Sequence, residues 1–333
     1  MKHKLEIFIT VVIMLLAIYV LKNINILETY RLLKEVNMLF FILAFVIYFF
    51  ILLIWDLSLN YSQNQIFKVK FLPFFLIFYA GCFFNTITPG AAFGGEPIRV
   101  YFMHKKYKKS VSKILGVIVG DKFFHIAGFV VFALASLILL ILLLPFSWVM
   151  RVFLWSVLFL VICFAGFLFV QGIKKIKFNL AHVFKKFYHL KFIKNYFNTE
   201  KEFEKSLSQY SDEFFKTVKK LIFSKTNFII KSPISLIAWG LTVLVSYFLF
   251  LSLGVSINFL IVMIVVVAGY VIADLSPIPG GIGLTESTMF LLYSFLGVNP
   301  EIALIVAVLE RAIYYFYTLL IGGLCTLYLR LTV

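Results

Sequence analysis

A few ionisable side chains interrupt the long apolar stretches of this sequence. Glu96 and Arg99 lie three residues apart in NTITPGAAFGGEPIRV, and Glu286 ends the stretch SPIPGGIGLTE. A carboxylate binds cationic groups or carries a proton, and a guanidinium forms paired hydrogen bonds with phosphate. A charge at the centre of a bilayer costs about 2.5–3.5 kcal/mol on insertion scales. We therefore predict that these three side chains face a cavity and bind a polar lipid headgroup.

The same three residues also have a purely structural interpretation. Each glutamate would open a short helix after a glycine-containing break, where free backbone N–H groups and the helix dipole stabilise a carboxylate. Glu96 and Arg99 would share one helix face, so they can form an internal ion pair. The sequence leaves both interpretations open.

Two acid–base dyads, Asp121-Lys122 and Glu310-Arg311, lie inside apolar segments. Neighbouring helix residues point about 100° apart, so each basic residue needs an acid elsewhere, and Glu96 and Glu286 are available. We predict one polar network in each half of the chain. Its supporting members are Asn85, Thr88, Asp121, Lys122, His125, Glu310, Arg311 and Tyr314, where His125 and Tyr314 follow the acid of each dyad by four residues.

The elements that position these residues are predicted from composition. The chain is 62% hydrophobic and 14% charged, whereas soluble domains are about 45–50% apolar and about 25% charged. We predict an all-α polytopic membrane protein with about six full spans. The predicted spans are 6–21, 38–59, 114–144, 148–171, 232–253 and 301–329.

Two further apolar stretches, 71–103 and 257–297, are broken by proline and glycine. We predict two re-entrant hairpins of half-helices, because non-helical backbone is tolerated at membrane depth only where protein or a watery cavity covers it. The residues expected to form the breaks are Pro89, Gly90, Gly94, Gly95, Pro277, Pro279, Gly280, Gly281 and Gly283.

An internal repeat relates the two hairpins. PGAAFGGE at 89–96 matches PGGIGLTE at 279–286, and each is followed at nearly the same distance by an apolar run that ends in a dyad. We predict two membrane repeats, 1–145 and 146–333, with inverted topology. Matched Gly/Pro-interrupted segments in such repeats indicate a transport site at the repeat interface.

The net charge of +16 is concentrated in loops, chiefly at 104–113 and in a Lys-rich insertion at 172–231. Basic loops favour the cytoplasm, so we expect a multi-pass protein of the cell membrane with these loops and the N-terminus inside. The basic residues flank membrane segments, so nucleic acid is not an expected partner. Within the insertion, 199–222 has the pattern of an amphipathic helix that lies on the membrane or packs on the spans.

NTITPGAAFGGEPIRVYFM, SPIPGGIGLTE and VLERAIYY together resemble the transmembrane region of lysylphosphatidylglycerol synthases, a family of flippase-like membrane proteins. The resemblance covers nearly the whole chain. In full-length synthases it implies lipid flipping by this region and aminoacyl transfer by a C-terminal cytosolic domain. Since the sequence ends at Val333, soon after its last span, we expect lipid translocation and not lysyl transfer.

The expected function is thus a flippase or transporter of a polar or phosphate-bearing lipid. Expected partners are membrane lipid, either anionic or linked to a sugar, and a separate lipid-modifying enzyme. The sequence contains no P-loop, G-x-S-x-G or H-E-x-x-H motif, so we expect no enzyme activity, metal or cofactor. Two alternatives stay open: an intramembrane transferase that uses a lipid-linked donor, and a helper subunit of a lipid synthase.

Overall fold

The structure, a computed structural model, describes residues 25–88, 94–143, 199–276 and 278–332. All regular elements within these ranges are helical, as predicted. The α-helices are α1 (Ile26–Lys34), α2 (Met38–Asn64), α3 (Phe71–Ile87), α4 (Gly95–Tyr107), α5 (Val111–Leu143), α6 (Glu200–Ile222), α7 (Lys225–Ser252), α8 (Phe259–Leu275), α9 (Leu284–Phe295), α10 (Pro300–Tyr315) and α11 (Gly322–Thr332).

Four stretches in the described residues are long and apolar enough to cross a membrane. They are α2, α5, α7 and the continuous stretch Pro300–Thr332, which joins α10 to α11 through a π-helical segment at Phe316–Ile321. These match four of the six predicted spans and confirm a polytopic helical membrane protein. The other two predicted spans, 6–21 and 148–171, lie outside the described residues.

Each predicted break separates two short helices. With 13 residues, α4 is about 20 Å long, and α9 is shorter still with 12, whereas the hydrocarbon core is about 30 Å thick. The second break contains a short 3₁₀ turn at Pro279–Gly281. Its glycines Gly280, Gly281 and Gly283 all have positive φ, a conformation that costs L-residues energy. Pro89, Gly90 and Pro277 lie outside the described residues.

The first broken segment folds back on itself closely. A β-carbon at Gly95 would lie 2.1 Å from the carbonyl oxygen of Gly81, so α4 packs on α3 with backbone against backbone. Glycine is required there because any side chain would force the two helices apart. The amide oxygen of Asn85 accepts a hydrogen bond of 2.6 Å from the Gly95 N–H, which fixes the start of α4.

The two predicted halves are packed together in the described residues and do not form separate bodies. Helix α2 of the first half packs extensively on α7 of the second, α3 packs on α11, and α5 contacts both α7 and α8. The predicted boundary near residue 145 lies outside the described residues.

The amphipathic helix predicted at 199–222 is α6, and it packs on α5. Gly116 and Gly120 of α5 lie one turn apart and face it: β-carbons there would lie 2.8 Å from the Thr217 Cβ and 3.0 Å from the Leu221 Cδ1. Small residues at this spacing let two helices approach closely. Of the two positions predicted for this helix, contact with the spans is the one observed.

Lys231 corrects the predicted end of the cytoplasmic insertion. Helix α7 begins at Lys225, so the last residues of 172–231 belong to a long apolar helix. The Lys231 side chain is only 1% exposed. The Lys231 ammonium group is buried because it pairs with the Asp121 carboxylate, which is buried as well.

Candidate functional site

The first polar network joins the first broken segment to α5. Glu96 lies in the first turn of α4 and pairs with Arg99 at 3.0 Å and with the Lys122 Nζ at 2.7 Å. Both predicted contacts are thus present: the internal pair within α4 and the link from the dyad to the break. The shared carboxylate fixes α4 against α5.

The buried Arg99 guanidinium contacts several protein groups. Besides Glu96, its Nη2 lies 3.3 Å from the Phe78 carbonyl oxygen and 3.5 Å from the Cys82 sulfur. The guanidinium also lies over the Phe78 ring, 4.7 Å from the ring centroid. A β-carbon at Gly81 would lie 2.3 Å from the Arg99 Nε, so Arg99 fills the space that Gly81 leaves on α3.

Asp121 is the centre of a second cluster, which connects three spans. It accepts hydrogen bonds from Ser58 at 3.0 Å and Ser62 at 2.9 Å, both on α2. His125 lies one turn further along α5 with its Nε2 3.3 Å from the Asp121 carboxylate, on the face predicted for it. Lys231 of α7 forms a buried ion pair with the same carboxylate.

Lys231 is a member of this network that the sequence prediction missed. It lies at the end of a Lys-rich stretch, and that context favoured a loop. The signal that distinguishes it is local, since it directly follows the apolar run FII. A lysine placed inside such a run is expected to need a buried acidic partner.

The second half does not repeat the pattern of the first. Glu286 accepts a hydrogen bond of 3.1 Å from the Tyr315 hydroxyl, and Glu310 accepts one from Ser246. The predicted pairing of Arg311 with Glu286 is absent, and within the described residues Arg311 forms no ion pair. The symmetric expectation therefore fails: each second-half acid accepts a hydrogen bond from a hydroxyl group, and neither forms an ion pair with Arg311 in the described part of the chain.

A cavity of about 210 Å³ lies where the two broken segments meet. Both halves contribute to its wall. Its lining residues are Leu52, Cys82, Asn85, Thr88, Tyr270, Ala273, Asp274, Ile278, Gly280, Gly281, Arg311, Tyr314 and Thr318. Asn85, Thr88, Arg311 and Tyr314 are among the residues predicted from the sequence, whereas Tyr270, Asp274 and Thr318 were missed.

The residues predicted to bind a headgroup directly, Glu96, Arg99 and Glu286, do not line this cavity. Glu96 and Arg99 instead stabilise the helix that follows the first break. Glu286 lies in the first turn of α9, the helix that follows the second break. All three therefore lie outside the cavity wall, on the helices that follow the two breaks.

The two broken segments contact each other beside the cavity. The Tyr314 hydroxyl lies 2.9 Å from the Thr86 Oγ1 near the end of α3. A β-carbon at Gly280 would lie 2.9 Å from the Thr86 carbonyl oxygen, so the second break lies directly against α3. Thr88 donates a hydrogen bond of 2.6 Å to the Phe84 carbonyl oxygen, which terminates α3 at the cavity edge.

Comparisons with known proteins all indicate the same family of membrane proteins. The sequence profile of the lysylphosphatidylglycerol synthase TM region matches residues 5–322. A UPF0104 membrane protein of Pyrococcus horikoshii is 31% identical over 310 residues, which cover 90% of each chain. One of Methanothermobacter thermautotrophicus is 26% identical over 325 residues, which cover 95% of this chain and 93% of that protein.

Proposed function

Because the chain belongs to the family of the lysylphosphatidylglycerol synthase TM region, we propose that it moves a polar, phosphate-bearing lipid between the leaflets of the cell membrane. Four membrane-length helices and two broken segments support a transport role. Transport sites in membrane proteins are commonly formed where matched interrupted helices meet.

The observation that carries the proposal is the cavity between the two broken segments. Its wall combines apolar side chains with a guanidinium, a carboxylate, an amide and two hydroxyl groups outside the aromatic rings, supplied by both halves. The cavity of about 210 Å³ brings these polar groups from both halves to one space, with Arg311 and Thr318 buried in its wall. The volume suits a headgroup, with the hydrocarbon tails remaining in the lipid.

In this proposal the two broken segments are re-entrant and have opposite orientations. The polar networks behind them hold each segment in its conformation. The network of Glu96, Arg99 and Lys122 fixes the first segment to α5. The hydrogen bond from Tyr315 to Glu286 connects the second segment to the last span. Movement of one half against the other would then open the cavity to each side in turn.

A proteoliposome assay tests the function. The purified chain is reconstituted with fluorescent phosphatidylglycerol in both leaflets, and dithionite added outside bleaches only the outer leaflet. Translocation exposes the inner pool, so we expect bleaching beyond one half in vesicles that contain the protein. The matched control is Ala273→Leu, which narrows the cavity without changing a charge and should restore bleaching to one half. Bleaching of one half with the unaltered protein, for every polar lipid tried, contradicts the proposal.

A further inference from the structure

Two arginines are buried in the part of the chain that the structure describes, Arg99 and Arg311, and they differ in their hydrogen bonding. Arg99 donates from Nη1 to Glu96 and from Nη2 to the Phe78 carbonyl. Arg311 is only 4% exposed, yet its buried Nε and Nη2 have no hydrogen-bond acceptor in the part of the chain that the structure describes. Arg311 also lines the cavity, whereas Arg99 does not.

Aromatic rings hold the Arg311 guanidinium in place without using its N–H groups. Its Cζ lies 5.0 Å from the Tyr314 ring centroid and 5.8 Å from that of Tyr270. Such contacts attract the charge through the ring face and leave the N–H edge of the fork available. The two glutamates of the second half, Glu286 and Glu310, accept hydrogen bonds from Tyr315 and Ser246.

A buried guanidinium with two unsatisfied N–H groups is energetically costly. Leaving a buried donor unpaired costs about 1–3 kcal/mol, and more when the group is charged. Since no protein group satisfies this edge of Arg311 within the described residues, a bound anion would remove the cost. The planar fork matches the oxygen spacing of a phosphate group better than any other side chain.

We propose that Arg311 is the phosphate ligand of this cavity. The inference rests on the proposed function in taking the phosphate to be that of a lipid headgroup. The amide of Asn85 and the hydroxyl of Thr88 lie on the opposite broken segment in the same wall. They add polar groups from the first half, so that the two halves share one ligand.

The other residues of the cavity wall restrict which headgroups can bind. Asp274 lines the same cavity, and a carboxylate there accepts hydrogen bonds from hydroxyl or amine groups. The cavity of about 210 Å³ lies below the range of about 300–1,000 Å³ that is usual for drug-sized ligands. The ligand is therefore a compact phosphodiester that carries hydroxyl or amine groups, such as phosphoglycerol.

The helix that carries Arg311 has an irregularity at the same place. The π-helical segment Phe316–Ile321 begins five residues after Arg311, and its Thr318 lines the cavity. Short π-helical segments inside α-helices occur frequently at functional sites. Here the segment turns Thr318 toward the same space as Arg311.

Native mass spectrometry of the full chain in detergent tests the site. The protein is titrated with dioleoyl phosphatidylglycerol and with dioleoylglycerol, which has the same tails and no phosphate. We expect phosphatidylglycerol to bind at least tenfold more tightly. Arg311→Gln should remove that preference, a loss of about tenfold for one charge-assisted hydrogen-bonded pair. Arg311→Lys should lie between the two, and Arg31→Gln, a change in an arginine whose side chain is 71% exposed, should bind as the unaltered chain does.

A further titration, with inorganic phosphate, tests whether the bound phosphate belongs to a lipid or to a soluble ligand. If inorganic phosphate alone binds and only to chains that keep Arg311, the phosphate site stands and its ligand is soluble. If Arg311→Gln unfolds at a lower temperature, Ala273→Leu takes its place and should weaken phosphatidylglycerol binding to the level of dioleoylglycerol. Equal binding of phosphatidylglycerol by the unaltered chain and by a folded Arg311→Gln variant overturns the proposal.

The binding assay is independent of transport. If the unaltered chain translocates no lipid but binds phosphatidylglycerol in a way that depends on Arg311, the proposed flippase function is wrong and the proposed phosphate site is supported. If the unaltered chain translocates lipid and the Arg311→Gln variant binds that lipid equally well, the flippase function is supported and the phosphate site is wrong.

Discussion

Tyr314 and Thr86 form a hydrogen bond of 2.9 Å that joins the last span to the first broken segment. Thr86 also donates within α3, 3.0 Å from the Cys82 carbonyl oxygen. One hydroxyl pair thus connects the halves at the cavity wall. Movement of one half against the other has to lengthen or break this bond.

We expect Tyr314→Phe to lower the free energy of unfolding by about 1 kcal/mol, the usual net value of one hydrogen bond. It should also raise the rate of lipid translocation, because the restraint between the halves is weaker. Thermal unfolding and the dithionite assay measure the two effects. Tyr328→Phe, at a tyrosine that is 55% exposed, is the matched control, and equal behaviour of the two variants contradicts the prediction.

The sequence was sufficient to predict the contacts that depend on local spacing. Glu96 and Arg99 share a face of one helix, as do Asp121 and His125, and both pairs lie within 3.3 Å. The glycines of the second break adopt positive φ because no other residue does so at low energy. Such features follow from helix geometry and from backbone sterics alone.

The contacts between distant helices were not predictable in the same way. The burial of Lys231 depends on how α7 packs against α2 and α5. The different hydrogen bonding of Arg99 and Arg311 depends on which carbonyl and hydroxyl groups lie nearby in space. The internal repeat predicted that Lys122 and Arg311 would each pair with the glutamate of a broken segment. Within the described residues Lys122 does so and Arg311 does not, a difference that depends on how the helices pack.

The close contact of α6 with α5 gives a prediction about packing. Gly116→Ala places a β-carbon 2.8 Å from the Thr217 Cβ and 3.0 Å from the Phe214 carbonyl oxygen, so α6 has to shift. Overpacking of this kind costs about 1–3 kcal/mol. We expect faster hydrogen exchange in residues 200–222 and a lower melting temperature.

Gly240→Ala is the control for that experiment, because a β-carbon at Gly240 would meet only the Phe132 Cζ, at an ordinary 3.8 Å. Both substitutions lie inside helices, where alanine is favoured over glycine by about 1 kcal/mol. The difference between the two variants therefore reports the contact with α6. Similar exchange in both would show that α6 is held elsewhere.

Glu213 makes the attachment of α6 depend on pH. Burial by itself raises the pKa of Glu213, but hydrogen bonds from Ser110 and Lys113 and the charge of Lys113 outweigh it, so the pKa lies below its usual value of 4.5. The Lys113 Nζ lies 3.1 Å from this carboxylate. A lowered pKa stabilises the folded state above the unfolded pKa, and this stabilisation is lost as the pH falls through the folded value.

We therefore expect hydrogen exchange in 200–222 to be constant near neutral pH and to accelerate below about pH 4.5, relative to exchange in α7, after correction for the intrinsic rate. Glu213→Gln should remove this acceleration and show faster exchange already at neutral pH. Glu35→Gln, in an exposed pair with Arg31, is the control. An unchanged acid response in Glu213→Gln would assign the effect to another group.

The buried pair of Asp121 and Lys231 gives the largest expected effect on stability. Lys231→Met removes one partner and leaves the Asp121 charge inside the protein, with Ser58, Ser62 and His125 as its remaining partners among the described residues. Breaking a buried ion pair from one side costs about 3–5 kcal/mol. The variant should therefore melt at a much lower temperature.

The double variant Lys231→Met with Asp121→Asn separates the pair from its surroundings. Asparagine is neutral, keeps an oxygen for the two serines, and needs no counter-ion. We expect it to recover most of the stability that Lys231→Met loses, so the two changes should be strongly non-additive in a double-mutant cycle. Additive effects would mean that Lys231 stabilises α7 through its hydrocarbon stem and its contact with the Phe124 ring, 5.5 Å from the Nζ, and not through the charge of Asp121.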